Sequence, residues 1–316
     1  MQIACVIVTY NRKHLLKRCL DAVAKQTFKP SFVYILDNAS TDGTRESVIK
    51  WGFNDTQKDG IYYKYILNKK NEGGAGGFYR GMKYAMEDGD YDALWVMDDD
   101  GEPEKECLKN LVSYLGDYDY IAPIVLSDED HDTCSFVPNT NYEEFCKKAD
   151  KRGLIEDWAS PFNGILYSTK LIKEIGYPKK EMFIWGDEIN YHLRSKNAGF
   201  LPITVVNSIH YHPINRVVGY KDESNKNIFI IVDQKDWKLY CALRNQIYNL
   251  HLIYNKYVAF KKAREKYRAY IHFYHSIGDY SHDCLILDAA ISGYIGYFGG
   301  LKKFFNVIFS LPSKKS

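Results

Sequence analysis

The chain has 316 residues, of which 46% are hydrophobic and 26% charged, a globular composition that excludes a disordered polypeptide. A formal net charge of +2 gives no electrostatic ground for a nucleic-acid partner. The seven cysteines are scattered without a CxxC pair, so they read as reduced cytosolic thiols, not as a disulfide framework or zinc site.

Ile3 to Val8 is a continuous apolar, β-branched run that ends in Thr9-Tyr10-Asn11, the pattern of a buried strand. It starts almost at the first residue, so no signal peptide is expected. Leu15, Leu16, Cys19, Leu20 and Val23 then recur at helical spacing. "SFVYILDNAS" predicts a second strand and "TDGTRESVIKWGF" a second helix, starting at Thr41 or Asp42. "IYYKYIL" predicts a third strand, "NEGGAGG" a glycine-rich loop, and the residues after it a third helix. "YDALWVMDDD" is the fourth strand. Four strand–helix alternations with short connections predict an α/β fold with a mostly parallel central sheet flanked by helices.

Beyond Cys107 the pattern is less regular. Residues 107 to 157 mix helix and loop, "SPFNGILYSTKLIKEIG" reads as strand then helix, and "EMFIWGDEINYHLR" as a loop entering a helix. "LPITVVNSIHYHP" is a strand. From Asp236 onward the chain reads as helical and rich in Tyr, Lys and Arg. The expected division is a sheet domain over 1–215 and a mainly helical extension over 216–316. No run of about 18 uninterrupted apolar residues occurs, so no membrane span is expected; the nearest, Cys284 to Leu301, is broken by Asp288 and by glycines.

Open α/β sheets bind ligands beyond the carboxyl ends of their strands. Thr9-Tyr10-Asn11, Asp37-Asn38, the glycine run and Asp98-Asp99-Asp100 all fall at such ends, which predicts one nucleotide site. Three adjacent carboxylates repel one another and call for a positive partner. A diphosphate with bridging Mg²⁺ or Mn²⁺ supplies one, because hard cations prefer carboxylate oxygen. In an extended segment Asp98 and Asp100 point the same way, making them the expected metal pair; a solvated acidic turn is the alternative. The glycines permit close approach of backbone to a ligand, and Arg80, a turn beyond, has the reach to meet phosphate. Asp187 and Glu188 precede a helix, where carboxylates either cap or, if desolvated against Trp185 and Phe183, serve as a base. His210 and His212 share one face of a strand, as metal ligands or as a packed polar pair. "GYFGGLKKFFNVIFSLPSKKS" is basic and amphipathic, suited to an anionic membrane surface or to protein packing.

The segments "VIVTYNR", "LDNASTDGT", "NEGGAGGFYRG", "WVMDDDGEP", "FIWGDEINYHLR" and "HYHP" occur in the order of family 2 inverting glycosyltransferases, which have the GT-A fold. The resemblance covers about residues 1 to 215. The triple aspartate, "FIWGDE" and "LRNQIY" resemble most the galactofuranosyltransferase branch and its rhamnosyltransferase relatives. The resemblance implies that Thr9, Tyr10, Arg12 and Asp37 hold uracil and ribose, with Gly74, Arg80, Asp98 and Asp99 also on the donor side. Asp37 is suited to accept from the pyrimidine imide, and Tyr10 to stack. It implies a metal site of Asp98, Asp100 and a histidine, His212 fitting the context better than His210. It places the base at the second acid of the pair, here Glu188 where Asp is commoner, so Asp187 stays open for that role. Trp185 is expected at the acceptor sugar.

The function so implied is metal-dependent, inverting transfer of galactofuranose from UDP-galactofuranose to a glycan acceptor, lipid-linked, in bacterial surface polysaccharide synthesis. A dTDP-rhamnose-dependent enzyme is the alternative within the class. A non-catalytic nucleotide-sugar binding module is the alternative outside it, disfavoured because a binder needs no acid pair. A sugar nucleotidyltransferase is disfavoured by "TYNR" at the end of the first strand. The expected location is the cytoplasm, with peripheral contact at the inner membrane face, and a homo-oligomer is compatible with these readings.

Overall fold

The computed structural model describes residues 1–137, 139–214, 219–221, 229–231 and 235–300. The tail expectation for Leu301 to Lys315 falls outside them. The chain divides into two compact units, Met1–Pro178 with Arg194–Ile214, and Lys179–Leu193 with Asn215–Ser316. The segment 179–193, expected with the sheet, thus groups with the helices.

The sheet unit begins with β1 (Ile3–Thr9), α1 (Lys13–Ala24), β2 (Phe32–Asp37) and α2 (Thr44–Lys50). It continues with β3 (Thr56–Lys58), β4 (Ile61–Leu67), α3 (Gly73–Asp88) and β5 (Ala93–Asp98). All seven residues of β1 are buried, as expected of a central strand covered on both faces. Leu16, Cys19, Leu20 and Val23 form the buried stripe of α1. Strands β4, β2, β1 and β5 lie side by side and parallel, which aligns their carboxyl ends.

Further on come β6 (Glu102–Pro103), α4 (Cys107–Val112), β7 (Tyr120–Ser127), α5 (Tyr142–Cys146), β8 (Leu154–Glu156) and β9 (Asn163–Ser168). They are followed by α6 (Thr169–Ile175), α7 (Asp187–Asn197) and β10 (Ile203–His212). Here the sheet becomes mixed. Strand β9 runs antiparallel to both β5 and β7, while β10 is parallel to β7. Strand β6 pairs antiparallel with β10, setting Pro103 opposite His210 and Glu102 opposite Tyr211. The chain leaving the aspartate triplet therefore runs back along the strand that carries both histidines.

The helical unit holds a short hairpin, β11 (Gly219–Lys221) with β12 (Phe229–Ile231), and three helices, α8 (Asp236–Ile253), α9 (Lys256–Ser276) and α10 (Asp283–Ile295). Its core includes Leu239, Leu243, Ile247, Ala263, Tyr270, Ile286 and Ala289.

Candidate active site

At the end of β1, Thr9 is buried and its hydroxyl donates to Asp99 Oδ2 at 2.6 Å. Arg12, two residues beyond the half-buried Tyr10, pairs with Asp99 Oδ1 at 2.8 Å and donates from Nη1 to Asp100 Oδ2 at 2.6 Å. The positive partner of the triplet within this chain is therefore Arg12. Burial works against the guanidinium charge, but Asp99, Asp100 and Asp98 outweigh it and raise the Arg12 pKa. Asp99 is fully buried, and burial above all pushes its carboxyl up to about 7 against the pull of Arg12.

Alternation along an extended segment does not extend through the triplet. Strand β5 ends at Asp98, Asp99 and Asp100 lie in a turn, and Gly101 N–H donates to Asp98 O. That turn is why Asp99 and Asp100 reach the same arginine, whereas a strand would have pointed them apart.

His212 and Asp100 also meet, with Nε2 to Oδ1 at 3.4 Å. His212 Nδ1 lies 2.7 Å from Pro213 O. A carbonyl only accepts, so Nδ1 donates to it and Nε2 is the nitrogen that faces Asp100. A carboxylate oxygen and an imidazole nitrogen brought together in this way are both of the ligand types a divalent cation takes. A carboxylate oxygen from Asp100 with imidazole nitrogen from His212 is a donor set of the kind a divalent ion such as Mn²⁺ takes, although no preassembled cluster of three such ligands occurs among the described residues. His210 differs. Its fully buried ring sits where a Cβ on Gly101 would lie 2.1 Å from Nε2 and one on Gly164 2.7 Å from Nδ1. Burial drives its pKa down to about 3, so this ring is neutral and packed.

The end of β2 is tied to its neighbours through Ser40, Tyr65 and Asn68, which the sequence did not single out. Asp37 accepts from Ser40 N at 2.7 Å and from the Tyr65 hydroxyl, so its carboxylate braces the turn that follows β2. Asn38 donates to Gly73 O and accepts from Asn68 Nδ2, both at 2.8 Å. Asn38 thereby joins the ends of β2 and β4 to the start of α3.

The glycine run is helix, not loop: α3 starts at Gly73. A Cβ on Gly77 would lie 2.5 Å from Val8 Cγ1, and one on Gly81 2.6 Å from Val6 Cγ1. These glycines let α3 lie directly on β1. Gly74 is different, since a Cβ there meets nothing within 4 Å. Arg80 is held by Glu72, with Nη2 to Oε1 at 2.9 Å, and not by the aspartate cluster.

In the helical unit, Asp187 and Glu188 open α7. Asp187 is buried, and the Glu188 carboxylate accepts from Gly186 N at 2.9 and 3.0 Å, the capping arrangement weighed above. Phe183 packs on Trp237, centroids 5.8 Å apart, and Lys238 Nζ lies 4.9 Å from the Trp185 ring. The wall expected from Phe183 is thus turned into the core.

The segment before the pair is gripped from α8. Asn245 Nδ2 donates to Met182 O, Ile184 O and Trp185 O at 2.6 to 3.0 Å. Asn249 Nδ2 donates to Gly186 O at 2.8 Å, and Arg244 Nη2 to Met182 O at 2.7 Å. Phe183 and Trp185 both have positive φ, a strained backbone for such residues; these donors hold it. "LRNQIY" was visible in the sequence, but nothing in it says which backbone its amides hold.

A family model described as Glycosyl transferase family 2 matches residues 4–176. A galactofuranosyltransferase GlfT1 of Mycolicibacterium smegmatis is 29% identical over 249 residues, covering 72% of this chain and 80% of that protein. One of Mycobacterium tuberculosis is 30% identical over 217 residues, 66% and 69% respectively. Among solved structures, S. aureus TarS 1-349 in complex with UDP-GlcNAc aligns with a TM-score of 0.59 at 15% identity, covering 95% of this chain and 84% of that one. Mannosyltransferase PcManGT from Pyrobaculum calidifontis, in complex with GDP-Man and Mn2+, aligns at 0.54 and 16% identity, covering 98% and 79%. These likenesses show the GT-A fold.

Proposed function

The chain belongs to glycosyl transferase family 2, and on that premise we propose that this glycosyltransferase moves galactofuranose from UDP-galactofuranose, with inversion, onto a lipid-linked glycan acceptor of a bacterial surface polysaccharide. The observation that carries the reading is the meeting of Asp100 and His212 beside Arg12 at the carboxyl ends of β1 and β5. The names of the most similar relatives support the donor sugar.

Thr9, Tyr10 and Asp37 are the proposed uridine contacts. Gly74 leaves room for a ligand at the start of α3. Asp98, Asp100 and His212 would hold Mn²⁺ or Mg²⁺. When bound, such an ion neutralises charge on the departing diphosphate. Arg12 keeps Asp99 and Asp100 in place. Glu188 is the proposed base that takes the acceptor hydroxyl proton, Asp187 the alternative, and Trp185 the proposed acceptor platform. The enzyme would work at the cytoplasmic face of the membrane.

Titration calorimetry in Mn²⁺ with UDP-galactofuranose, UDP-galactopyranose and dTDP-rhamnose tests the donor. UDP-galactofuranose should bind most tightly, and binding of dTDP-rhamnose alone would reassign the chain to rhamnosyl transfer. Glu188→Gln should keep donor affinity and lose about a hundredfold in turnover. If Asp187→Asn loses the rate instead, the two acids exchange roles. If the donor binds but the wild type transfers its sugar to no acceptor, the chain is a binding module.

A further inference from the structure

Among the described helices of the second unit, α9 runs antiparallel to both α8 and α10. Gln246 on α8 accepts from Lys266 on α9, Phe260 at the start of α9 meets Tyr294 near the end of α10, and His275 near the end of α9 meets Asp283 at the start of α10. The end of α8, the start of α9 and the end of α10 therefore lie together. Ile253, Tyr257, Phe260, Ile291, Ile295 and Tyr297 are there, each more than half exposed, with Tyr257 at 79% and Ile295 at 67%. Scattered exposed apolar residues need no explanation, but a contiguous group of large ones marks a contact surface.

The charge on this part of the chain is mostly basic, and the nearest acid on α9, Glu265, is paired with Lys262 at 2.8 Å. No Asp or Glu occurs between Asp236 and Glu265, nor after Asp288. Lys256, Lys261 and Arg264 are exposed on the same stretch of α9. Aromatic and aliphatic side chains flanked by an excess of lysine and arginine are the composition of an element lying at the boundary between headgroups and acyl chains. None of the described helices is long and apolar enough to cross a bilayer, so the surface would rest on the membrane. A second copy is the poorer occupant. A two-fold contact brings the same patch against itself, setting Lys256, Lys261 and Arg264 against their own copies, while Glu265 is already paired with Lys262.

We propose that this end of the helical unit docks on anionic lipid headgroups, with Tyr257, Phe260, Ile291 and Ile295 seated at the acyl boundary and Lys256, Lys261 and Arg264 facing lipid phosphate. None of the residues named for this surface is among those assigned to sugar transfer, and its test reads binding, so the two readings fail independently.

The test is co-sedimentation of the full chain with vesicles of phosphatidylcholine and phosphatidylglycerol, and with phosphatidylcholine alone. The wild type should partition onto the mixed vesicles and far less onto the neutral ones. The variant Lys256→Glu/Lys261→Glu/Arg264→Glu should lose about a hundredfold in partitioning, because each basic residue near an anionic surface is worth roughly fivefold. Tyr257→Ser/Ile295→Ser should also lose it, with circular dichroism and UDP affinity unchanged to show an intact fold. A wild type that stays in the supernatant overturns the proposal. So does either folded variant partitioning like the wild type, or sedimentation analysis showing a dimer that Ile295→Ser abolishes without any vesicle binding.

Discussion

Arg12 and Arg244 are both held among polar groups beside functionally assigned segments, one in each unit, and the fold treats their charges in opposite ways. Arg12 is met by the carboxylates of Asp99 and Asp100. Arg244, fully buried, is met by the carbonyls of Met182 and Glu181, the amide oxygen of Asn245, and the rings of Tyr240 and Phe298. Among the described residues no carboxylate pairs with it. The protonation equilibria follow: charge partners raise the Arg12 pKa, whereas burial lowers that of Arg244. A segment that must gather negative charge is built with a counter-cation, and a segment that must fix a backbone path is built with neutral dipoles.

The largest effect expected from this contrast is on turnover. If Asp100 served only to balance Arg12, its loss would be felt in stability alone. If it serves the reaction, Asp100→Ala should lower turnover by about a thousandfold, since charge stabilisation by a bound metal is worth several kcal/mol. Excess EDTA should do the same to the wild type. Full turnover in EDTA would remove the metal from the account and leave Arg12 as the cation that the described residues place against Asp99 and Asp100.

The contrast also separates two stability losses. Arg12→Met leaves Asp99 and Asp100 facing each other in a buried turn, and is expected to cost about 3 kcal/mol. Arg244→Met forfeits hydrogen bonds to carbonyls but strands no opposite charge, and should cost about 1–2 kcal/mol. Urea denaturation of both variants measures the difference, and equal losses would break the comparison.

The sheet unit was the more legible in sequence because its site is made of strand ends, and strand ends follow from local periodicity. Thr9, Asp37 and the aspartates could be named because each terminates or follows an apolar run, whereas Arg12 was named through the family resemblance. The glycines misled because a helix pressed onto a sheet and a loop around a ligand ask for the same residue. Only the distance from Gly77 to Val8 tells them apart. The grip on the acid-pair segment was not legible at all. Asn245 reaches Met182, Ile184 and Trp185 across about sixty residues of chain, and no local pattern announces such a contact. That gives the next prediction. Asn245→Ala should cost about 2 kcal/mol by stranding buried carbonyls and lower turnover while leaving UDP affinity unchanged. A loss of UDP affinity equal to the loss of rate would show a general collapse.

The smallest effect lies with Lys266, a half-buried cation of the helical unit for which no carboxylate partner occurs among the described residues. Its ammonium donates to Gln246 Oε1 at 2.7 Å, and burial lowers its pKa to about 8. In the unfolded chain the group titrates near 10.4. Below pH 8 both states carry the proton, and the folded state bears the full desolvation cost. Between about 8 and 10.4 the folded lysine is neutral while the unfolded one stays charged. The unfolded state then binds more protons, so stability rises with pH. The slope from one group cannot exceed ~1.4 kcal/mol per pH unit, and near the midpoint it is about half that. Tyrosines and other lysines titrate at higher pH, so the quantity to measure is a difference: urea stability at pH 8 and pH 9 for the wild type and for Lys266→Met. The wild type should gain about 1 kcal/mol relative to the variant across that interval. If the two curves run parallel, Lys266 keeps its proton, some anionic partner neutralises it, and the helical unit handles this charge as the sheet unit handles Arg12.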